Sequence, residues 1–158
     1  MNNSLYIKLI KEFNLEEYFK IILTKSKKLQ TNSYHNIFHT IVVFVNSYKI
    51  AVKEKVPISE IRTILLAALF HDFDHSGGEK SDSENVKIAI SAYKKYSTES
   101  EEINNKVIEI IQATEYPYTI KQEDLSLKQK IIRDADLTQM YTDNFIQQTI
   151  FGLLMGEL

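Results

Sequence analysis

Leu65–Gly78 reads LLAALFHDFDHSGG: six apolar residues, then two histidines and two aspartates within five positions. The stretch runs apolar along one helical face and reads as a buried helix. Ending such a helix in charged groups is costly unless something offsets their desolvation. Water does so at a surface; a cation does so inside.

On either side of this stretch, helical spacing of apolar residues recurs along the whole chain. Tyr6, Leu9, Ile10 and Phe13 predict a first helix, and Tyr18, Phe19, Ile22, Leu23 and Leu29 a second. Phe38, Ile41, Val42 and Val45 predict a third. A fourth starts after Pro57, with Ile58, Ile61, Leu65, Ala68 and Leu69 inward. Gly77 and Gly78 break the chain beyond it, and SDSEN (Ser81–Asn85) reads as the cap of the next helix. Val86, Ala89, Ile90, Tyr93 and Tyr96 form its stripe; Ile103, Val107, Ile110 and Ile111 form another, ended before Pro117. Leu127, Ile131, Ile132 and Ala135 form one more. With four glycines, two prolines and no alternating stretch, the expectation is an all-α bundle of about seven or eight helices. The 158 residues suit a single domain over 1–158. The stretch FIQQTIFGLLMGEL (Phe145–Leu158) leaves an apolar side with little to cover it. Either the natural chain continues there, or this helix packs on a partner, a route to a homo-oligomer.

The chain is 44 % hydrophobic and 25 % charged, with net charge −2 and pI about 6.1. Nothing in that balance marks a nucleic-acid-binding surface, and the basic spot TKSKK (Thr24–Lys28) reads as a solvated helix face. There is no cysteine, which excludes disulfides, zinc ribbons, iron–sulfur clusters and thiol nucleophiles. Any metal is therefore held by histidine and carboxylate. The start, MNNSLYIKLIKEF, lacks the apolar run of a signal peptide, and Ile64–Phe70 is too short to cross a bilayer. The expected location is the cytoplasm, away from membranes.

The four histidines, His35, His39, His71 and His75, form two pairs spaced by four. On a helix, each pair shares one face. A lone histidine is most often a surface or hydrogen-bonded imidazole; all four confined to YHNIFH and HDFDH ask for another reason. His71 and Asp72 together offer a neutral nitrogen and an anionic oxygen, a mixture that suits Zn, Mn, Fe, Co or Ni better than Ca. His39 and a further carboxylate complete a cage. The candidate is Asp136 in IIRDADLTQ, which comes after an apolar stripe as His71 does; Asp134, two residues away, faces elsewhere.

YHNIFHT, AALFHDFDHSGG and RDADLTQ, in that order, resemble the HD-domain metal-dependent phosphohydrolases, and more narrowly the cyclic nucleotide phosphodiesterase core. IIQATEYPY (Ile110–Tyr118) is similar to the family's segment between the second and third motifs. The likeness covers about Tyr34 to Gln139. It implies an all-helical fold and two divalent ions. His39, His71, Asp72 and Asp136 match the ligands of the first ion, with Asp72 also reaching a second. His35 matches the histidine that protonates the leaving oxygen. His75 and Asp74 match positions near the second ion and the phosphate, and Asn36 one that positions the helix or a water. Glu84 has two readings, a contact to water on the second ion or an acid at a helix start.

Two departures bear on the substrate. Only 22 residues lie beyond Asp136, where the resembling enzymes carry their purine clamp, and Gln139, Gln147 and Gln148 do not match it. Ser76 stands where the pattern has proline. The expected activity is hydrolysis of a cyclic or related small signalling nucleotide by water activated between the ions. The alternatives are a nucleotide phosphomonoesterase or dNTP hydrolase, and a binder that sequesters its nucleotide.

Overall fold

The computed structural model describes residues 4–138. Among them are seven α-helices: α1 (Ser4–Glu12), α2 (Glu16–Lys25), α3 (Ile37–Lys53), α4 (Ile58–Phe70), α5 (Asp82–Tyr96), α6 (Glu101–Gln112) and α7 (Leu127–Asp136). The all-α expectation holds. Gln139, Gln147, Gln148 and the Phe145–Leu158 stretch lie outside the described residues. No helix among the described residues is long and apolar enough to cross a membrane.

α4 is the axis of the bundle. Every residue from Ile64 to Phe70 is at most 1 % exposed, because α2, α3, α5, α6 and α7 all pack against it. Truncating one such side chain, Leu65→Ala for example, costs roughly 2–5 kcal/mol. α3 packs on both α4 and α7, so three helix ends are brought to one depth. Phe44, Phe70 and Tyr93 fill the centre, Tyr93 meeting Phe70 edge to face.

Local chemistry fixes where these helices begin. Asn36 caps α3, its Oδ1 accepting from the Phe38 and His39 amides at 3.0 and 3.1 Å. Ser81 and Ser126 form capping boxes with Glu84 and Gln129. Arg133, buried on α7, donates from Nε to the Ala113 carbonyl at 2.6 Å and from its terminal nitrogens to the Ile120 carbonyl. One guanidinium thereby ties α7 to the loop that leaves α6.

The periodic stripes run too wide at their edges. Leu23, Phe38, Ile58 and Leu127 are exposed, and Leu29 lies in a 3-10 turn past the end of α2. Apart from Leu23, in the last turn of α2, the exposed ones sit in a first helical turn, where the face has not yet met a neighbour. Helical spacing also misplaces His35. It precedes the Asn36 cap, so His35 and His39 do not share a helix face.

Candidate metal centre

Three helix ends converge here. His39 comes from the first turn of α3, His71 and Asp72 from the chain leaving α4, and Asp136 from the last residue of α7. His39 Nε2 lies 3.2 Å from Asp72 Oδ2 and 3.0 Å from Asp136 Oδ1. His71 Nε2 lies 3.2 Å from the same Asp72 oxygen, 3.7 Å from Asp136 Oδ1 and 3.4 Å from His39 Nε2. Both rings are 1 % exposed. All four residues expected as one ligand set are thus brought together.

The donor set fits a divalent cation on two counts. His71 Nδ1 sits 2.9 Å from the Ala68 carbonyl; a carbonyl only accepts, so Nδ1 carries a proton and Nε2 is the nitrogen turned to the cluster, free to ligate once deprotonated. That is the arrangement of a metal-binding histidine with its second nitrogen tied to the backbone. Asp72 Oδ2 is buried, 3.2 Å from each of the two Nε2 atoms, an anionic oxygen whose desolvation a cation would offset.

Without a cation the charges must balance among themselves. Burial alone would lower the pKa of His39, but hydrogen bonds and attraction from Asp136 and Asp72 overcome it and push it up to about 9. His71 is raised well above its ordinary value against the same burial, by the same two carboxylates. Burial would raise both acids; the histidines instead hold Asp72 and Asp136 well below the usual carboxylate range.

A second set, His35, Asp72 and His75, also has ligand atoms within 4.8 Å of one another. Asp72 belongs to the chemistry of both. The rings of His35 and His75 stack at 3.7 Å and 19°, and Tyr34 stands edge-on to His35 at 4.9 Å. His75 is positioned by its surroundings. The Gly77 amide reaches its Nδ1 at 3.1 Å, and Asn85 Nδ2 and Asp82 Oδ1 lie 3.2 and 3.5 Å from its Nε2. A neutral imidazole accepts at only one nitrogen, so the other carries the proton; either way the ring plane is held. This set opens into a cleft of about 110 Å³ lined by His35, His71, Asp72, His75, Asp82, Val86, Thr114, Tyr116 and Asp136.

One expectation is corrected. Asp74 does not face this cleft. It takes a left-handed φ of 54°, which aspartate tolerates, and its Oδ1 accepts from Ser26 Oγ and the Lys28 amide at 3.1 and 3.2 Å. It is the turn residue that reverses the chain between Asp72 and His75. Glu84 is exposed, and its Oε2 accepts from the Ser81 amide and hydroxyl; the helix-start reading is the one realised. Asp134 is exposed, as expected. Lys27 and Lys28 of the basic spot line a separate surface groove, while Ser26 between the helix and that groove is fully buried.

Sequence reading misses Asp82, Asn85, Thr114 and Tyr116. The signal for the first two is present. A cap at Ser81 puts Asp82, Asn85 and Val86 on one face by helical spacing, and all three adjoin the histidines. Thr114 and Tyr116 lie within IIQATEYPY, whose likeness to the family marks the segment but gives neither residue a role; they reach the cleft through the path of the loop after α6.

Comparison with known proteins agrees with this geometry. The sequence profile of the family described as HD domain matches residues 36–141, starting one residue after His35 and including His39, His71, Asp72 and Asp136. No curated protein and no solved structure matches the chain. A match over two-thirds of the sequence, with those four residues converging on one point, means that the chain belongs to the HD domain family of metal-dependent phosphohydrolases.

Proposed function

We propose that this HD domain is a phosphodiesterase that hydrolyses a cyclic nucleotide or a related small signalling nucleotide. The observation that carries the reading is the shared position of Asp72 between the His39–His71–Asp136 set, whose two rings are buried, and a cleft-facing His35–His75 pair. His39, His71, Asp72 and Asp136 would hold one divalent ion, and Asp72 would reach a second, held mostly by water beside the His35–His75 pair.

Divalent ions in such a site activate water near neutral pH and draw charge from phosphoryl oxygens. The rest falls to the chain. Asp72, buried and anionic, fixes where positive charge gathers, so that charge growing on the phosphoryl oxygens in the transition state meets a preset field. His35, stacked on His75, would donate a proton to the departing alkoxide. His75, held by Gly77, Asn85 and Asp82, keeps that stack in register.

A phosphomonoesterase would use the same four ligands. The likeness of YHNIFH, with His35 as an acid ahead of His39, to the cyclic nucleotide phosphodiesterase core favours a diester. The test combines elemental analysis of the purified protein with a hydrolysis panel. The panel holds cyclic mononucleotides, cyclic dinucleotides, 5′-monophosphates, deoxynucleoside triphosphates and bis-p-nitrophenyl phosphate, with Mn, Mg, Fe or Co. Turnover of a cyclic diester is expected. Turnover confined to monoesters or triphosphates would replace the reading, and intact ligand recovered after long incubation would favour a sequestering protein. Small-molecule nucleotide partners, and no nucleic-acid or membrane partner, belong to this same reading.

A further inference from the structure

The cleft beside the metal centre holds about 110 Å³, whereas pockets that enclose a whole drug-sized ligand run roughly 300–1,000 Å³. A phosphoryl group fits inside; the remainder of a nucleotide must rest on the rim. On that rim stands Tyr116, a cleft-lining residue that is 68 % exposed.

An exposed tyrosine usually means little, but this one is held from two sides. Its backbone amide donates to Asp82 Oδ2 at 2.6 Å, and the other oxygen of that carboxylate faces His75. Its ring meets Tyr118 edge to face at 5.6 Å. Tyr118 in turn lies under the Arg133 guanidinium at 3.8 Å, and Arg133 is 5 % exposed and bound to two backbone carbonyls. The chain of contacts runs from the helix that carries Asp136 to the rim. An aromatic face kept open to solvent yet fixed in place loses little freedom on binding a flat partner.

We infer that Tyr116 is the nucleobase platform of this enzyme: the base of the substrate stacks on its ring while the phosphoryl group enters the cleft. This deepens the nucleotide-hydrolase reading and rests on it. Stacking tolerates any base, because every base has a π-face, so the platform selects for a base without choosing among them. Asp82 is its positioning residue, setting Tyr116 and His75 from one carboxylate.

The test compares adenosine 5′-monophosphate with ribose 5-phosphate, which lacks only the base. Affinities for the Mn-loaded full chain are measured by calorimetry for wild type, Tyr116→Ala and Tyr116→Phe. Wild type is expected to bind the nucleotide about 10-fold more tightly than the sugar phosphate. Tyr116→Ala should bring that ratio close to one, and Tyr116→Phe should keep it. A wild-type ratio near one, undetectable nucleotide binding, or a ratio unchanged in Tyr116→Ala would each overturn the assignment. The hydrolysis panel fails separately: base-dependent affinity without turnover of any diester would remove the phosphodiesterase reading and leave the platform standing.

Discussion

The inner set, His39, His71 and Asp136, and the outer set, His35 and His75, share Asp72 but are built by different means. The inner one hangs on the ends of three buried helices, both histidine rings being 1 % exposed, and it meets the cleft through the edges of His71 and Asp136. The outer one sits on a pre-helical residue and a reversing turn, and it faces the cleft. Helix ends packed in a core give fixed positions and low dielectric, which favours tight holding of an ion. Turns give access, which favours exchange of water and substrate. On the proposed reading, retention of the ion falls to the inner set and turnover to the outer.

Asp72 is where the two sets cannot be separated, so its loss has the largest expected effect. Asp72→Ala should abolish hydrolysis and also reduce the metal retained after dialysis, with circular dichroism showing the helices intact. Full metal content together with lost turnover would restrict Asp72 to the outer set. Near-normal hydrolysis would break the site altogether. Asp136→Asn should act on the inner set first, with metal content falling before any change in leaving-group dependence.

His35→Ala tests the outer set alone. It should keep its metal and lose roughly 100- to 10,000-fold in turnover of alkyl diesters, and much less on activated aryl phosphates, whose leaving groups need no proton. An equal loss on both would remove the acid role. It would also turn the His35–His75 stack into a purely packing contact.

The same division decides what can be read from the sequence. Two members of the inner set are legible because they end apolar helical stripes, Phe70 before His71 and Ile132 and Ala135 before Asp136; His39, in the first turn of α3, is legible from the pairing of the histidines. Burial and periodicity speak to depth, and depth is what a buried ligand needs. The outer set is legible only by likeness to a motif. Helical spacing puts His35 on α3, and the Asn36 cap shows why it is not there: the side-chain oxygen satisfies the first amides and starts the helix after His35. Asp74 is misplaced for a related reason, since adjacency in HDFDH says nothing of a left-handed turn that sends it toward Ser26. Tyr116 carries no periodic signal at all.

Proton linkage separates the two sets from another side. In the ion-free chain, His39 is raised from 6.5 to about 9. A raised histidine contributes stability that is complete below its unfolded value and is lost as pH climbs through the folded one. The lowered Asp136 and Asp72 contribute stability that is present above the ordinary carboxylate value and is lost in acid. The ion-free fold should therefore lose stability between pH 6.5 and 9. A bound cation needs the lone pairs of His39 and His71, so loading releases protons and strengthens over that same interval. Melting temperatures with chelator should fall from about pH 7 to about 9 while those with Mn hold, and the gap should widen. Parallel curves would mean that the inner histidines are not the ligands.

The smallest effect concerns the support of the outer set. Ser81 accepts from the Glu84 amide, and Glu84 returns bonds to Ser81; this box starts the turn that carries Asp82 and, one turn on, Asn85. Ser81→Ala should cost about 1 kcal/mol, a shift of roughly 2–4 °C in melting temperature for a chain of this size. Its turnover should drop only a few-fold, as Asp82 and Asn85 loosen against His75. Glu84→Gln, which preserves a capping box, should leave both quantities near wild type. A loss of turnover on the order of 100-fold in Glu84→Gln, the scale of a lost proton-transfer group, would return that carboxylate to the water around the second ion. The outer set would then extend along α5 rather than end at Asp82.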